Sequence, residues 1–230
     1  MRFYFIRHAQ SENNALWDQT GLDIGRKEDP SLTELGWEQA KRLAVLAGGF
    51  QCEVEGFGVT HLYCSPMLRA VTTAYEIGKK IGIMPVLWKD WHECGGLFSG
   101  TRANNDIVPR PGMSKQQIEE RFPGIVTNGE VGPDGWWQGE YESEEERVVR
   151  GTRVFERLME IHKGTNDVVA VVSHGAFYQR FMSALMGVEK VKPVWFLMNN
   201  TGVTRVDFDA GETTVVYSNR LQHLPSTMVS

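Results

Sequence analysis

Four short apolar runs recur along the chain: RFYFIR at 2–7, VTHLYC at 59–64, MPVLW at 84–88 and DVVAVVS at 167–173. Runs of this length that do not alternate with polar residues are typical of strands buried on both faces of a parallel sheet. Between them the period lengthens. After Thr33, the residues Leu35, Ala40, Leu43, Ala44 and Ala47 recur at roughly helical spacing until Gly48 and Gly49, which predicts a helix over 33–48. Ser143 with Glu146 three residues later forms a capping-box pair, and Val148, Thr152, Phe155, Leu158 and Met159 are expected to share an inner face of a helix over 143–161. Near the end, VTRVDFD (203–209) and TTVVYS (213–218), divided by Ala-Gly-Glu, read as a closing hairpin.

Strands alternating with helices predict an α/β fold, a three-layer sandwich with a mostly parallel central sheet and helices on both faces. No convincing boundary for a second domain appears, so residues 1–230 are expected to form one domain. One stretch breaks the alternation. Residues 99–142 hold four prolines (Pro109, Pro111, Pro123 and Pro133) and seven glycines with little periodicity, and are expected to form an inserted lid.

Composition narrows the function. With 230 residues, 41% of them hydrophobic, the chain can bury one sizeable core. A net charge of -5 argues against a broad grip on nucleic acid or an anionic membrane, so an anion would have to be met by a local cluster. The longest uninterrupted apolar run, VVAVV at 168–172, is far short of a membrane span, and Met1-Arg2 leads into an apolar stretch without signal-peptide anatomy. Cys52, Cys64 and Cys94 are odd in number and lack a CxxC spacing, which suggests reduced thiols in the cytoplasm. No His–carboxylate spacing resembles a metal motif, so neither a metal nor another cofactor is expected, and the oligomeric state stays open.

Arg7-His8 follows the first predicted strand, Arg69 ends SPMLR after the second, and His174 follows VVAVVS. The C-terminal ends of parallel strands share one edge, where ligands bind, so these residues can converge. Two arginines and two histidines at that edge of an acidic chain describe a site for a small, highly charged anion. Phosphate fits best, because guanidinium forks match its oxygens and helix-start amides add donors. His61, His92, His162 and His223 lack this placement, and His162, at a helix end, reads as a favourable C-terminal charge.

RHAQSENN (7–14), LTELGWEQA (32–40), YCSPMLRAVTTA (63–74), VVSHGAF (171–177) and RLQHL (220–224) together resemble, in order, the histidine phosphatase superfamily of phosphoglycerate mutase-like proteins. The resemblance covers nearly the whole chain apart from 99–142. It implies that His8 is the nucleophile, that Arg7, Arg69 and His174 bind the phosphoryl group, that Ser11 and Asn14 line the pocket, and that Glu93 in WHECGG is the general acid of the phosphatase branch. Asp90, Glu142 and Glu144 are rival acids. Ala9 departs from the usual Gly and Gln10 from the common Glu; one methyl group at position 9 is a small change.

Chemically, His8 must be neutral and held through one ring nitrogen so that the other faces phosphorus. Arg7, Arg69 and a protonated His174 would offset the charge on the equatorial oxygens. The sequence after the acid, ECGGLFSGTRANN, lacks what mutases of this family carry, so hydrolysis of a small phosphorylated metabolite is the expected reaction. A phosphoglycerate-type phosphomutase and a phosphate-binding module without turnover are the alternatives. Arg102 and Arg110 are expected to meet a second anionic group, and Trp136-Trp137 to serve as packing or as a stacking surface.

Overall fold

A computed structural model describes residues 1–49, 56–101, 104–188 and 194–230. Cys52 and Arg102 lie outside the described residues. The strands β1 (Arg2–Arg7), β2 (His61–Cys64), β3 (Val86–Leu87), β6 (Val168–Ser173), β7 (Val203–Asp209) and β8 (Glu212–Arg220) form one sheet in the order β3-β2-β6-β1-β7-β8. The first four run parallel, whereas β7 and β8 add an antiparallel margin. Ala210 and Gly211 turn the hairpin at positive φ.

β1 shows why its run has no polar positions. Phe3 and Phe5 enter a core with α5 (Glu144–His162) and α6 (Gly175–Leu185), while Tyr4 and Ile6 enter one with α2 (Glu34–Gly48) and α3 (Leu68–Ile81). Successive side chains point to opposite faces, so a strand between two helical layers must be apolar at every position. The three layers are as expected.

The strand expected over 84–88 shortens to Val86–Leu87. It lies at the sheet margin, where Pro85 has no N–H to give. Its carbonyl instead accepts from Val126 N–H (3.0 Å), and Leu87 N–H donates to Val126 (2.7 Å), so the 99–142 segment covers this edge. Within that segment β4 (Phe98–Ser99) pairs with β5 (Val108–Pro109), and α4 (Lys115–Arg121) follows. Ile118, Phe122, Ile125, Val131 and Trp136 reach the α2/α3 core.

The buried face of α5 differs from the expected one. Arg150, Gly151, Val154, Leu158 and His162 are buried, whereas Thr152 is exposed. Two contacts set this rotation: Arg150 forms a buried ion pair with Glu142, and Gly151 lets α5 approach α6 so closely that a Cβ would lie 2.9 Å from the Arg180 carbonyl oxygen. α1 (Glu12–Thr20) buries no residue, and its ends are set locally by a Ser11–Asn14 capping box and a left-handed Gly21. No helix among the described residues is long and apolar enough to cross a membrane.

Candidate functional site

Sheet register assembles the site. Arg7 lies opposite Ser173 and Cys64 opposite Val172, so Arg7-His8, Ser65 and His174 leave the sheet at one edge. The ladder continues one residue beyond each strand, with His8 N–H donating to Ser173 (2.9 Å) and Ser65 N–H to Val172 (3.0 Å). Arg69 arrives from the first turn of α3.

His8 is buried, and its Nδ1 lies 2.7 Å from the Ala9 carbonyl oxygen. A carbonyl can only accept, so Nδ1 carries the proton and Nε2 keeps its lone pair. That lone pair accepts from Arg69 Nε at 3.1 Å. Burial first, then the charges of Arg69 and Arg7, push the His8 pKa well below the ordinary imidazole value. Neutral His8 is the form a nucleophile needs.

His174 is fully buried, its ring centroid 5.0 Å from that of His8. The Ser65 hydroxyl lies 2.8 Å from Nε2 and accepts from Met67 N–H (3.3 Å), so its own proton can go to the imidazole. Nδ1–H then has no partner among the described residues. Burial, followed by Arg69 and His8, lowers the His174 pKa well below the usual value. In the ligand-free protein, burial and these neighbours thus disfavour the protonated form expected for His174.

Arg7 Nη1 donates to the Met198 carbonyl (2.7 Å), while its buried Nε has no partner among the described residues. Arg69 Nη1 lies 4.0 Å from Asp29 Oδ1, which also accepts from Leu68 N–H at 3.0 Å. Burial raises the Asp29 carboxyl to about 6, opposed by the Arg69 charge. Asp29 thus braces Arg69 and the start of α3 together.

Glu93 lies at the N-terminus of α6. Its carboxylate accepts from Phe177 N–H (2.9 Å), Ala176 N–H (3.3 Å) and Cys94 N–H (2.8 Å), which orient it one helical turn from His174. The rival acids are occupied elsewhere. Glu142 binds Arg150 through both oxygens (2.6 and 2.7 Å), Asp90 pairs with Arg153 (3.0 Å), and Glu144 pairs with Arg180 (2.6 Å). Arg150 also donates to the carbonyls of Asp90 (2.7 Å) and His92 (2.9 Å), fixing the loop that carries Glu93.

Ser11 and Asn14 cap the start of α1 beside this group. Asn14 Oδ1 accepts from Asn200 Nδ2 (3.2 Å), which also donates to the His8 carbonyl (2.9 Å). Ala9 is buried with Leu32 and Ala40, so its methyl group is accommodated by packing. Arg110 is bound to Ser99 Oγ (2.9 Å) and Glu28 (3.2 Å). Arg26, which the sequence did not single out, is half-buried with its guanidinium 4.0 Å from the Phe98 ring centroid and Nη1 on the Phe98 carbonyl (2.9 Å). It makes no ion pair among the described residues, and burial and then the nearby Arg69 charge lower its pKa. Trp136 and Trp137 pack on His92, with ring centroids at 5.8 and 4.7 Å. His162 closes α5 but is buried, with Nδ1 2.8 Å from Asp167 Oδ2. It thus stands in the last turn of α5, the helix-end position expected for it, and is buried there.

Of the residues the sequence singled out, Arg7, His8, Arg69, Glu93 and His174 converge. Asp29, Ser65, Arg150 and Asn200 support them and were missed. Only Asp29 carried a signal, standing before Pro30, where the chain is held extended.

The family model of the histidine phosphatase superfamily (branch 1) matches residues 3–220. A putative phosphoserine phosphatase 2 of Hydrogenobacter thermophilus is 28% identical, over 96% of this chain and 97% of its own. Among solved structures, the phosphoserine phosphatase of Entamoeba histolytica in complex with 3-phosphoglyceric acid has a TM-score of 0.64 at 22% identity, covering 97% of this chain and 99% of its own. A mycobacterial glucosyl-3-phosphoglycerate phosphatase complexed with VO3 has a TM-score of 0.62 at 21% identity, covering 95% of this chain and 98% of its own.

Proposed function

The chain belongs to the histidine phosphatase superfamily, and from that premise we propose that it hydrolyses a small phosphomonoester through a phosphohistidine on His8. The observation that carries this reading is the His8 ring, fixed by the Ala9 carbonyl with its Nε2 lone pair facing Arg69. Substrate phosphate displaces that Arg69 contact, and Nε2 bonds to phosphorus as the ester P–O bond breaks. Arg7 and Arg69 balance the charge on the phosphoryl oxygens, and the free Nδ1–H of His174 supplies a donor without needing an extra proton. Glu93 gives its proton to the leaving oxygen, then takes one from the water that attacks the phosphohistidine, so free enzyme is regenerated. Relatives named as phosphatases support hydrolysis over mutase chemistry. We read residues 1–230 as one catalytic domain, and the free Cys64 and Cys94 support a cytoplasmic location.

Rapid acid-free quenching during turnover of p-nitrophenyl phosphate should trap acid-labile phosphate on a histidine, with turnover unchanged by EDTA. Loss of turnover in EDTA, restored by a divalent ion, would overturn the mechanism. The pH profile follows from the lowered His8 pKa. As pH falls, His8 stays neutral until the pH approaches that depressed value. After correction for the substrate's own ionisation, the acid limb of the phosphorylation rate should therefore lie below about 6.5, the ordinary imidazole value. A limb centred there would mean an unperturbed histidine attacks.

The substrate is read as a phosphorylated metabolite with a second anionic group, met by Arg26. The support is a partly buried guanidinium without a carboxylate partner beside an already cationic pocket, together with relatives named for phosphoserine. Arg26→Met should raise KM for phosphoserine about 10-fold, the size of one charge-assisted hydrogen bond, while p-nitrophenyl phosphate is unaffected. Equal effects on both esters would remove Arg26 from substrate recognition.

A further inference from the structure

At the opposite end of the sheet, the start of β2, the entry to β6 and the end of α5 bring His61, His162 and Asp167 together. One nitrogen or oxygen from each lies within 4.8 Å of the others. His162 Nδ1 is 2.8 Å from Asp167 Oδ2, and His61 Nδ1 is 3.9 Å from Asp167 Oδ1. We propose that these three side chains form a binding site for a zinc-like divalent ion, separate from the phosphate site and dispensable for its chemistry.

The donor set favours a borderline-soft cation. Two imidazoles and one carboxylate suit Zn²⁺, Co²⁺ or Cu²⁺ and disfavour Mg²⁺ or Ca²⁺, which take oxygen donors. A tetrahedral ion with bonds near 2.1 Å holds its ligand atoms about 3.4 Å apart, so with Asp167 Oδ2 as the ligand the 2.8 Å pair must open by about half an ångström, and His61, now 3.9 Å from the other carboxylate oxygen, must turn toward the shared one. The His61 and Asp167 side chains, 42% and 27% exposed, can make that adjustment, His61 Nδ1 giving up its 2.9 Å contact with Thr60 Oγ1, and leave a face to solvent where water completes the shell.

The ring most deeply placed is also held from behind. His162 is 1% exposed and its Nε2 lies 3.1 Å from the Tyr63 hydroxyl. In the metal-free protein Nδ1–H donates to Asp167 and Nε2 accepts from Tyr63; metal binding takes the other tautomer, in which Nε2–H donates to the Tyr63 oxygen and the Nδ1 lone pair is left for the ion, as in the outer-shell contacts of known metal histidines. Thr165 Oγ1 accepts from Asp167 N–H (3.1 Å) and orders the turn that presents the carboxylate. The fold also explains why sequence spacing hid the group: His61 lies 106 positions before Asp167, and only β2–β6 pairing, with His61 beside Val169, makes them neighbours.

Distance separates this site from catalysis. His61 opens β2 and Ser65 follows its end, four residues or about 13 Å along an extended strand. Metal bound here would therefore leave the activity insensitive to chelators, as the phosphatase reading requires.

Titration of the full-length protein with Co²⁺ and Zn²⁺ at neutral pH tests the proposal by visible spectrum and calorimetry. One ion per chain should bind with a tetrahedral cobalt spectrum. His61→Ala and Asp167→Asn should each weaken binding at least 10-fold, and Tyr63→Phe about 10-fold through the outer shell. His8→Ala should bind as wild type does, and His61→Ala should keep the wild-type rate on p-nitrophenyl phosphate. The proposal fails if wild type shows no binding at 100 micromolar metal, on the order of the weakest useful site. It fails equally if both ligand variants bind normally, if His8→Ala abolishes binding, or if a thiolate-to-cobalt band places the ion on a cysteine.

Discussion

His8→Ala is expected to lower turnover by a factor on the order of 10⁴ or more while leaving the unfolding midpoint close to wild type. The loss is large because no neighbouring group can replace the nucleophile. His174 has its Nε2 engaged by Ser65, and the remaining site groups are cationic guanidinium groups or the Glu93 carboxylate held by α6 amides. The fold should tolerate the change, since among the described residues the His8 ring bonds only to the Ala9 carbonyl and Arg69 and lies among groups that repel its charged form. Arg69, released from the ring, can still lean on Asp29. Substrate should accordingly bind the variant, with no phosphohistidine trapped. A variant that keeps most of the wild-type rate, or that captures covalent phosphate on another residue, would rule out His8 as the attacking group.

What the sequence made legible follows from contiguity. β1 and β6 are unbroken apolar runs because both of their faces are covered, and the residue after each run falls at the shared edge, so Arg7, His8 and His174 could be placed together without a structure. Arg69 followed by the same reasoning, three residues past the Ser65–Pro66 turn. The supporting layer was not legible, because its members are polar residues in stretches with no period. Asp29 and Arg26 come from the loop between α1 and α2, and Asn200 from the approach to β7. Arg150 misled more actively: a charged residue on an amphipathic helix reads as solvent-facing, and only its partner Glu142, brought in by the 99–142 segment, explains the rotated buried face. Glu93 was reached through resemblance alone, since a loop carboxylate gives no sign that it will meet a helix N-terminus 83 positions later.

That placement also makes Glu93 the most discriminating residue to change. Glu93→Gln keeps the shape and one acceptor oxygen for Phe177 and Cys94 N–H, at the cost of one poorly matched contact to Ala176 N–H, now 3.3 Å long. The variant should fold, bind phosphate and still form the phosphohistidine from an activated ester. It cannot give a proton. An alkoxide is too basic to leave without one, whereas p-nitrophenolate leaves unaided, so the deficit should be roughly 10²-fold to 10⁴-fold on an alkyl phosphate such as phosphoserine and much smaller on p-nitrophenyl phosphate. Some loss should persist on the activated ester, because the same carboxylate assists water in the second step, and phosphohistidine should accumulate there. Asp90→Asn provides the comparison, as it removes only a surface pair with Arg153 and should not change the leaving-group dependence. Glu142→Gln should behave differently again: it leaves the Arg150 guanidinium buried with half its pairing, so it should lower the unfolding midpoint before it changes any ratio of substrates. Equal, slight losses on both esters for Glu93→Gln, with the leaving-group dependence appearing in Asp90→Asn, would move the acid to Asp90.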